Sequence, residues 1–372
     1  MELDMTTTVI LPRFVLLVVI SSLVNFSSIL KMHLPSLLFA AGSASVVLSQ
    51  PLTRLSQRAS KLQFVGINES GPEFGEANIP GTYGTDYTWP DLSTISTFVN
   101  KGMNTFRVNF LMERLVPNKM TGSLDAAYLG NLTETVNGIT KLGAYAIIVP
   151  HNYGRYNGEI ITSTEDFAAF WKTVAAEYKD NDKVIFDTNN EFHDESSTLV
   201  AQLNQAAITA IRSAGATSQY ITVEGNAYTG AWTWTTTQGT DGKTNGETMG
   251  SLTDTVEDKL IYQMHQYLDS DGSGTSSTCV SQTIGSERLQ AATTWLRDNK
   301  KIGLVGEFAG AVNTDCEAAV KDLLAFVAEN SDVWTGALWW AAGPWWGDYM
   351  FSVEPKDGVA YSTYADVVAS YA

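Results

Sequence analysis

VIFDTNNEFHDESSTLVAQLNQAAITAIRSAGATSQYITVEGN, residues 184–226, decides the fold. It opens on a short β-branched apolar run, 184–191, passes Ser196 and Ser197, which suit a helix N-cap, and continues as an amphipathic stretch over 196–214. Gly215 stops that helix, and a second β-branched run, YITVEGN (220–226), follows. Strand, helix, strand in 43 residues is the unit of a parallel sheet. The same alternation extends in both directions. Further strands are predicted at LQFVGIN (62–68), NTFRVNF (104–110), AYAIIVPHN (144–152), LIYQMHQY (260–267), KIGLVGEF (301–308) and WTGALWWA (334–341), which makes eight. Helices are predicted near 90–101, 124–142, 164–180, 286–298, 315–330 and 362–370, with Thr164 to Asp166 and Ser286 marking two of the starts. The connection over 227–260 is Thr- and Gly-rich and reads as a long loop with at most a short helix. Eight such units predict an α/β fold of the (β/α)8, or TIM-barrel, class in a single catalytic domain, with a doubly wound sheet as the alternative.

The chain has 372 residues, 44% of them hydrophobic, which suffices for one large core and excludes disorder. Its 40 acidic and 23 basic residues leave a net charge of −17, a field that repels nucleic acid and anionic membranes and suits a neutral or cationic ligand. Residues 1–49 read as a leader with a secretory signal: two apolar runs, 14–30 and 34–49, each too short for a comfortable membrane span, the second shaped like a signal h-region with small residues at its end. Met32 offers an alternative start, which would make 1–31 an upstream extension. Residues 50–60 read as a short pro-segment and 61–372 as the catalytic domain. A secreted, extracellular monomer is expected. Cys279 and Cys316 are the two cysteines of the chain, and either a single bridge or two buried thiols fits the composition.

In a barrel the downstream ends of the strands gather on one rim. The polar residues at those ends are Arg107 and Asn109, His151 and Asn152, Asn190 and Glu191, His265 and Tyr267, Glu307, and then Trp339 and Trp340. Glu191 and Glu307 emerge three strands apart, and a pair of carboxyls across a cleft is what glycosidic bond cleavage needs: one to protonate the leaving oxygen, one to attack or to activate water. The residues alone leave open which does which, because environment sets each pKa. A metal site would have to recruit His151, His265 and a distant carboxylate, without any ligand-spacing motif, so neither metal nor cofactor is expected. No G-x-S-x-G, P-loop or G-x-G-x-x-G is present, which removes the usual routes to serine hydrolysis, phosphoryl transfer and hydride transfer. Trp232, Trp234, Trp339, Trp340, Trp345 and Trp346 fall in segments assigned to the rim, where indole faces suit pyranose rings, whereas Trp171, Trp295 and Trp334 read as core. A polysaccharide is the expected ligand.

With TFRVNF, VPHNY, FDTNNEF, YQMHQYLD, GLVGEF and GALWWAAGPWW in hand, the chain from about Leu62 to its end resembles the secreted fungal-type endo-β-1,4-glucanases of glycoside hydrolase family 5. The resemblance implies hydrolysis of β-1,4-glucan by a retaining route, with Glu191 as acid/base and Glu307 as nucleophile. It places supporting and substrate-binding roles on Arg107, His151, Asn190, His265, Tyr267 and Trp340, with Trp339 as the other holder of the last position; Trp232 and Trp345 are expected to add binding surface. A retaining pair predicts carboxyl groups about 5–5.5 Å apart. The resemblance also implies a Cys279–Cys316 disulfide. The cellulose-binding module and Ser/Thr/Pro linker that many cellulases carry have no counterpart here, so soluble or amorphous glucan is the expected substrate; mannan, xyloglucan and a non-catalytic carbohydrate-binding barrel are the alternatives. Of two glycosylation sequons, Asn131 is expected on an exposed helix and Asn68 within or beneath the site.

Overall fold

The computed structural model describes residues 61–372, so the predicted leader and pro-segment lie outside the described residues. The first half runs β1 (Phe64–Glu69), α1 (Leu92–Asn100), β2 (Thr105–Phe110), α2 (Met112–Leu115), α3 (Ala126–Lys141), β3 (Tyr145–Pro150), β4 (Arg155–Tyr156), β5 (Glu159–Ile160), α4 (Thr164–Tyr178) and β6 (Val184–Asp187). The second runs α5 (Ser197–Ser213), β7 (Tyr220–Glu224), α6 (Asn245–Thr248), β8 (Leu260–His265), α7 (Ile284–Asn299), β9 (Gly303–Phe308), α8 (Thr314–Glu329), β10 (Trp334–Ala342) and α9 (Tyr361–Ala369). Strands β1, β10, β9, β8, β7, β6, β3 and β2 close in that order into a parallel barrel, and β4 with β5 forms a separate small hairpin that the sequence patterning did not predict.

Helix starts follow local capping with two corrections. Ser196 accepts from the Leu199 N–H and starts α5 as predicted, and Gly215, at φ +97, ends it. For α4 the cap is Ser163, one residue ahead of the predicted start, accepting from Asp166 N–H. Ser286 is not the cap of α7. The helix begins two residues earlier, and the Ser286 N–H is taken up at 2.7 Å by Asp322 of α8, so a neighbouring helix supplies the acceptor that an N-cap would have given. The long fifth connection carries only α6 and one 3₁₀ turn.

The barrel interior is layered because inward positions recur every second residue. Phe64, Ile147, Ile185, Ile261, Leu304 and Leu338 form an apolar plug with Tyr145 and Tyr220, the tyrosines set edge-on to Phe64 at 5.3 and 5.4 Å. The larger apolar core lies between strands and helices. Further along the strands the interior turns polar, with Asn68, Arg107, Asp187, Glu224 and Gln263 all fully buried. Strand β9 then breaks parity. Its register against β8 runs Met264 to Val305 and His265 to Glu307, so Gly306 is an extra residue, and this bulge turns Glu307 into the barrel. Gly306 is required there: a Cβ would lie 2.4 Å from the side chain of Gln263.

Candidate active site

Arg107 is the centre of the polar layer. Nε donates to Asp187 at 2.9 Å, Nη1 to Asn68 at 2.9 Å and Glu307 at 2.8 Å, and Nη2 to Asn190 at 2.8 Å and Glu224 at 2.9 Å, so all five N–H groups are used. Gln263 Nε2 ties Asp187 to Glu224 from the opposite side. Burial opposes the guanidinium charge, but Asp187, Glu224 and Glu307 outweigh it and raise its pKa above the usual arginine range. The bulged strand presents Glu307 against this cation: Oε1 accepts from Arg107, and Oε2 accepts from the Tyr267 hydroxyl at 2.7 Å. Burial, and then the charge of Glu307, raises the phenol pKa well above its ordinary value, so Tyr267 keeps its proton and donates.

Glu191 leaves the end of β6 on a loop and takes a left-handed φ of +48, with its N–H donating to Glu224 Oε2 at 2.7 Å. Its Oε1 lies 2.7 Å from His265 Nδ1, an atom that is also 3.5 Å from Glu307 Oε2. Oxygens of Glu191 and Glu307 come within 4.8 Å of each other, well short of the inverting range. Burial pushes the Glu191 carboxyl up to about 7 against the pull of Arg107 and His193. The Glu307 carboxyl is also raised, by burial first and then by Glu191, with Arg107 and the Tyr267 hydroxyl acting against it. Burial holds His265 down at about 4, a neutral imidazole. Glu191, His265 and Glu307 are the one group of potential metal-ligating side chains that converges among the described residues, but buried Arg107, bonded to Glu307, already supplies the positive charge at that point.

Two cavities meet at this pair. One of about 950 Å³ is lined by His193, Tyr228, Trp232, Gln266 and Asp271; the other, about 540 Å³, by His151, Trp340, Tyr349, Thr275 and Glu307; Glu191, Tyr153, Tyr267 and Ser273 border both. His151 stacks on Trp340 with centroids 5.4 Å apart. Burial, and after it Arg107, lowers its pKa well below the ordinary value.

Arg107, His151, Asn190, Glu191, His265, Tyr267, Glu307 and Trp340 therefore gather at one rim, and Trp232, 43% exposed beneath Arg288, borders the larger cavity. Trp345 is 42% exposed but lines neither cavity. Three strand-end or rim assignments are corrected. Trp339 points outward, donating to Phe351 O and stacking on Tyr364, and Trp234 is buried against Trp295, so both are core residues. Asn152 turns away to hold α2 through Met112 N–H and Glu113. Trp171, Trp295 and Trp334 are buried as predicted. Asn68 is fully buried under the site, and Asn131 is half-buried on α3 rather than exposed. Asp187, Glu224 and Gln263 went unpredicted. Each lies two residues beyond an inward-facing position of its strand, so a polar residue at that parity was the available signal.

The Cys279–Cys316 disulfide is present, with Cα atoms 5.2 Å apart. Cellulase (glycosyl hydrolase family 5) is the family whose model matches the chain, over residues 67–343. Endo-β-1,4-glucanase A of Emericella nidulans is 59% identical over 326 residues, covering 88% of this chain and 97% of its own length. Endo-β-1,4-glucanase B of Aspergillus niger is 58% identical over 336 residues, 90% of this chain and 98% of its own. Among solved structures, XacCel5A in complex with cellopentaose superposes with a TM-score of 0.79 at 42% identity, covering 84% of this chain and 99% of that one. The closed barrel, the paired carboxyls at its rim and these relatives make the chain a member of glycosyl hydrolase family 5.

Proposed function

We propose that this enzyme is an endo-β-1,4-glucanase that hydrolyses internal bonds of β-1,4-glucan with retention of anomeric configuration. The observation that carries the reading is the close approach of the Glu191 and Glu307 oxygens, within 4.8 Å, at the junction of two open cavities. Space on both sides of the pair suits a chain bound through its middle, and relatives named endo-β-1,4-glucanase together with the cellopentaose complex of XacCel5A support β-glucan as substrate.

Glu307, ionised against Arg107 and the Tyr267 hydroxyl, attacks the anomeric carbon. Glu191, protonated because burial keeps its proton on up to about pH 7, gives that proton to the leaving oxygen. In the second step the same carboxylate takes a proton from water, whose oxygen displaces Glu307 from the sugar. Asn190 spends its carbonyl on Arg107, and its buried amide N–H₂ has no partner among the described residues, which suits a hydrogen bond to the 2-hydroxyl of the reacting sugar. Trp340 on His151 and exposed Trp232 offer faces for neighbouring sugar rings. Among the described residues no helix is long and apolar enough to cross a membrane. The leader over 1–49 and the disulfide, which needs an oxidising compartment, support secretion.

Product analysis on cellulose, mixed-linkage glucan, xyloglucan and mannan, with the anomer followed by NMR, tests the proposal. Initial β-anomers from the middle of β-1,4-glucan are expected. Initial α-anomers, or binding without cleavage, would sink it. Glu307→Gln should abolish turnover while oligosaccharide binding persists.

A further inference from the structure

Glu224 stands at the end of β7, fully buried beneath the paired carboxyls, and the steps above leave it unused. Its Oε2 accepts the backbone N–H of Glu191 at 2.7 Å, while Oε1 accepts from Arg107 at 2.9 Å and from Gln263. Oε1 also lies 3.6 Å from His265 Nε2, a buried atom with no hydrogen-bond partner among the described residues. The other ring nitrogen, Nδ1, is the one 2.7 Å from Glu191. We propose that Glu224 is the positioning residue of the acid/base, keeping the single imidazole hydrogen of His265 on Nε2 and pinning the backbone of Glu191 in its left-handed turn. This rests on Glu191 being the acid/base.

A neutral imidazole carries one N–H, and which nitrogen bears it is set by what faces the ring. With the hydrogen on Nδ1, His265 would donate to Glu191 and favour the carboxylate, which has no proton to give, while the Nε2 lone pair faced the negative end of Glu224. With the hydrogen on Nε2, the N–H dipole points at Glu224, and the Nδ1 lone pair accepts from the protonated Glu191. The 3.6 Å approach is longer than a hydrogen bond, so the preference is electrostatic, exerted through a buried, water-poor gap. Glu307 Oε2, 3.5 Å from Nδ1, pulls the other way, and the proton that Glu191 donates to Nδ1 across 2.7 Å adds to Glu224 in holding the ring hydrogen on Nε2. Burial and Asp187 raise the proton affinity of Glu224, yet three N–H donors converge on its two oxygens, one of them from a guanidinium, and these favour the accepting carboxylate. Arg107 from β2, Asp187 from β6 and Glu307 from β9 are the other charged groups facing the trio, and all three remain when Glu224 is changed. The remaining titratable neighbours are His151, His193, Tyr153 and Tyr267.

Glu224→Gln tests this, because an amide cannot accept at both ends. Its kcat/KM is compared with that of the native enzyme across pH on a cello-oligosaccharide, whose leaving group needs a proton, and on an aryl cellobioside whose leaving group does not. The oligosaccharide rate is expected to fall on the order of 10²-fold. Removing a negative charge lowers the pKa of Glu191, so the alkaline limb should move down by about one pH unit. The aryl substrate should lose only a few-fold. Equal losses on both substrates with an unmoved alkaline limb would overturn the proposal. Glu191→Gln, run beside it, separates the two levels: if it too fails to spare the aryl substrate, the acid/base assignment itself falls. If it spares that substrate and Glu224→Gln does not, only the role of Glu224 falls. Should Glu224→Gln not fold, ¹⁵N NMR of His265 in the native enzyme reads the tautomer directly. Hydrogen on Nε2 is expected, and hydrogen on Nδ1 in the active pH range would refute it.

Discussion

Trp339 and Trp340 are neighbours in sequence with opposite duties. Trp340 stands inside the rim, stacked on His151 and set edge-on to Trp346, so Trp340→Ala should weaken glucan binding by about 1 kcal/mol or more, a several-fold rise in KM, and also lower the thermal midpoint, because the ring is largely buried. Trp339 is fully buried outside the barrel, and Trp339→Ala should cost about 3–5 kcal/mol of stability, read as a lowered denaturation midpoint. The pH profile also belongs at this scale. In the proposed mechanism Glu191 acts only while protonated, and its carboxyl stands at about 7, so kcat/KM on cello-oligosaccharides should fall as pH rises through about 7. The acid limb should report Glu307, which must lose its proton to attack. An alkaline limb that persisted unchanged in Glu191→Gln would contradict the assignment.

The segment from Leu268 to Thr283, between β8 and α7, borders both cavities and is held by three devices. Asp269 accepts from Gly274, Thr275 and Ser276 N–H groups, Arg288 donates to the Tyr267 and Ser270 carbonyls, and the disulfide ties Cys279 to the first turn of α8. The bridge spans 37 residues and is worth about 4 kcal/mol on loop-closure entropy. The paired Cys279→Ala and Cys316→Ala change should lower stability by up to that amount and raise KM, both measurable on the purified enzyme. Gly274 takes φ +72, and a Cβ there would lie 2.6 Å from the Tyr267 ring. Gly274→Ala should therefore displace the phenol from Glu307, and losing a charge-assisted bond of about 1.5–3 kcal/mol predicts roughly a 10- to 100-fold lower kcat.

Across the whole molecule, buried carboxyls set the pH range of stability. Burial raises Glu73 to about 7 and Glu195 to about 8, and raises Glu69 well above its ordinary value. A carboxyl whose pKa is higher folded than unfolded stabilises the fold fully below its unfolded value, near 4, and that contribution is lost as pH rises through the folded value. The net charge of −17 adds self-repulsion in the same direction. The thermal midpoint should accordingly be higher near pH 5 than near pH 8.5, and Glu195→Gln should flatten part of that slope.

Strand and helix periodicity alone determined the eight-fold alternation, which favoured a barrel over a doubly wound sheet, with closure left to the tertiary structure; residue identity at the strand ends was enough to nominate Glu191 and Glu307. Alternation puts Trp340 and Trp339 on opposite faces of β10, but the sequence reading had both at the rim, and only the structure, with Leu338 in the interior plug, shows that Trp340 is the inward one. The same parity counted from Leu304 points Glu307 outward, toward the helices. Only the bulge at Gly306, a matter of how β9 registers against β8, turns it inward. Asp187, Glu224 and Gln263 are ordinary polar residues when read singly, and their meaning arises from closure, which brings strands distant in sequence around one guanidinium. Local pattern is carried by nearest neighbours along the chain, whereas register, burial and charge balance exist only once the chain has closed on itself.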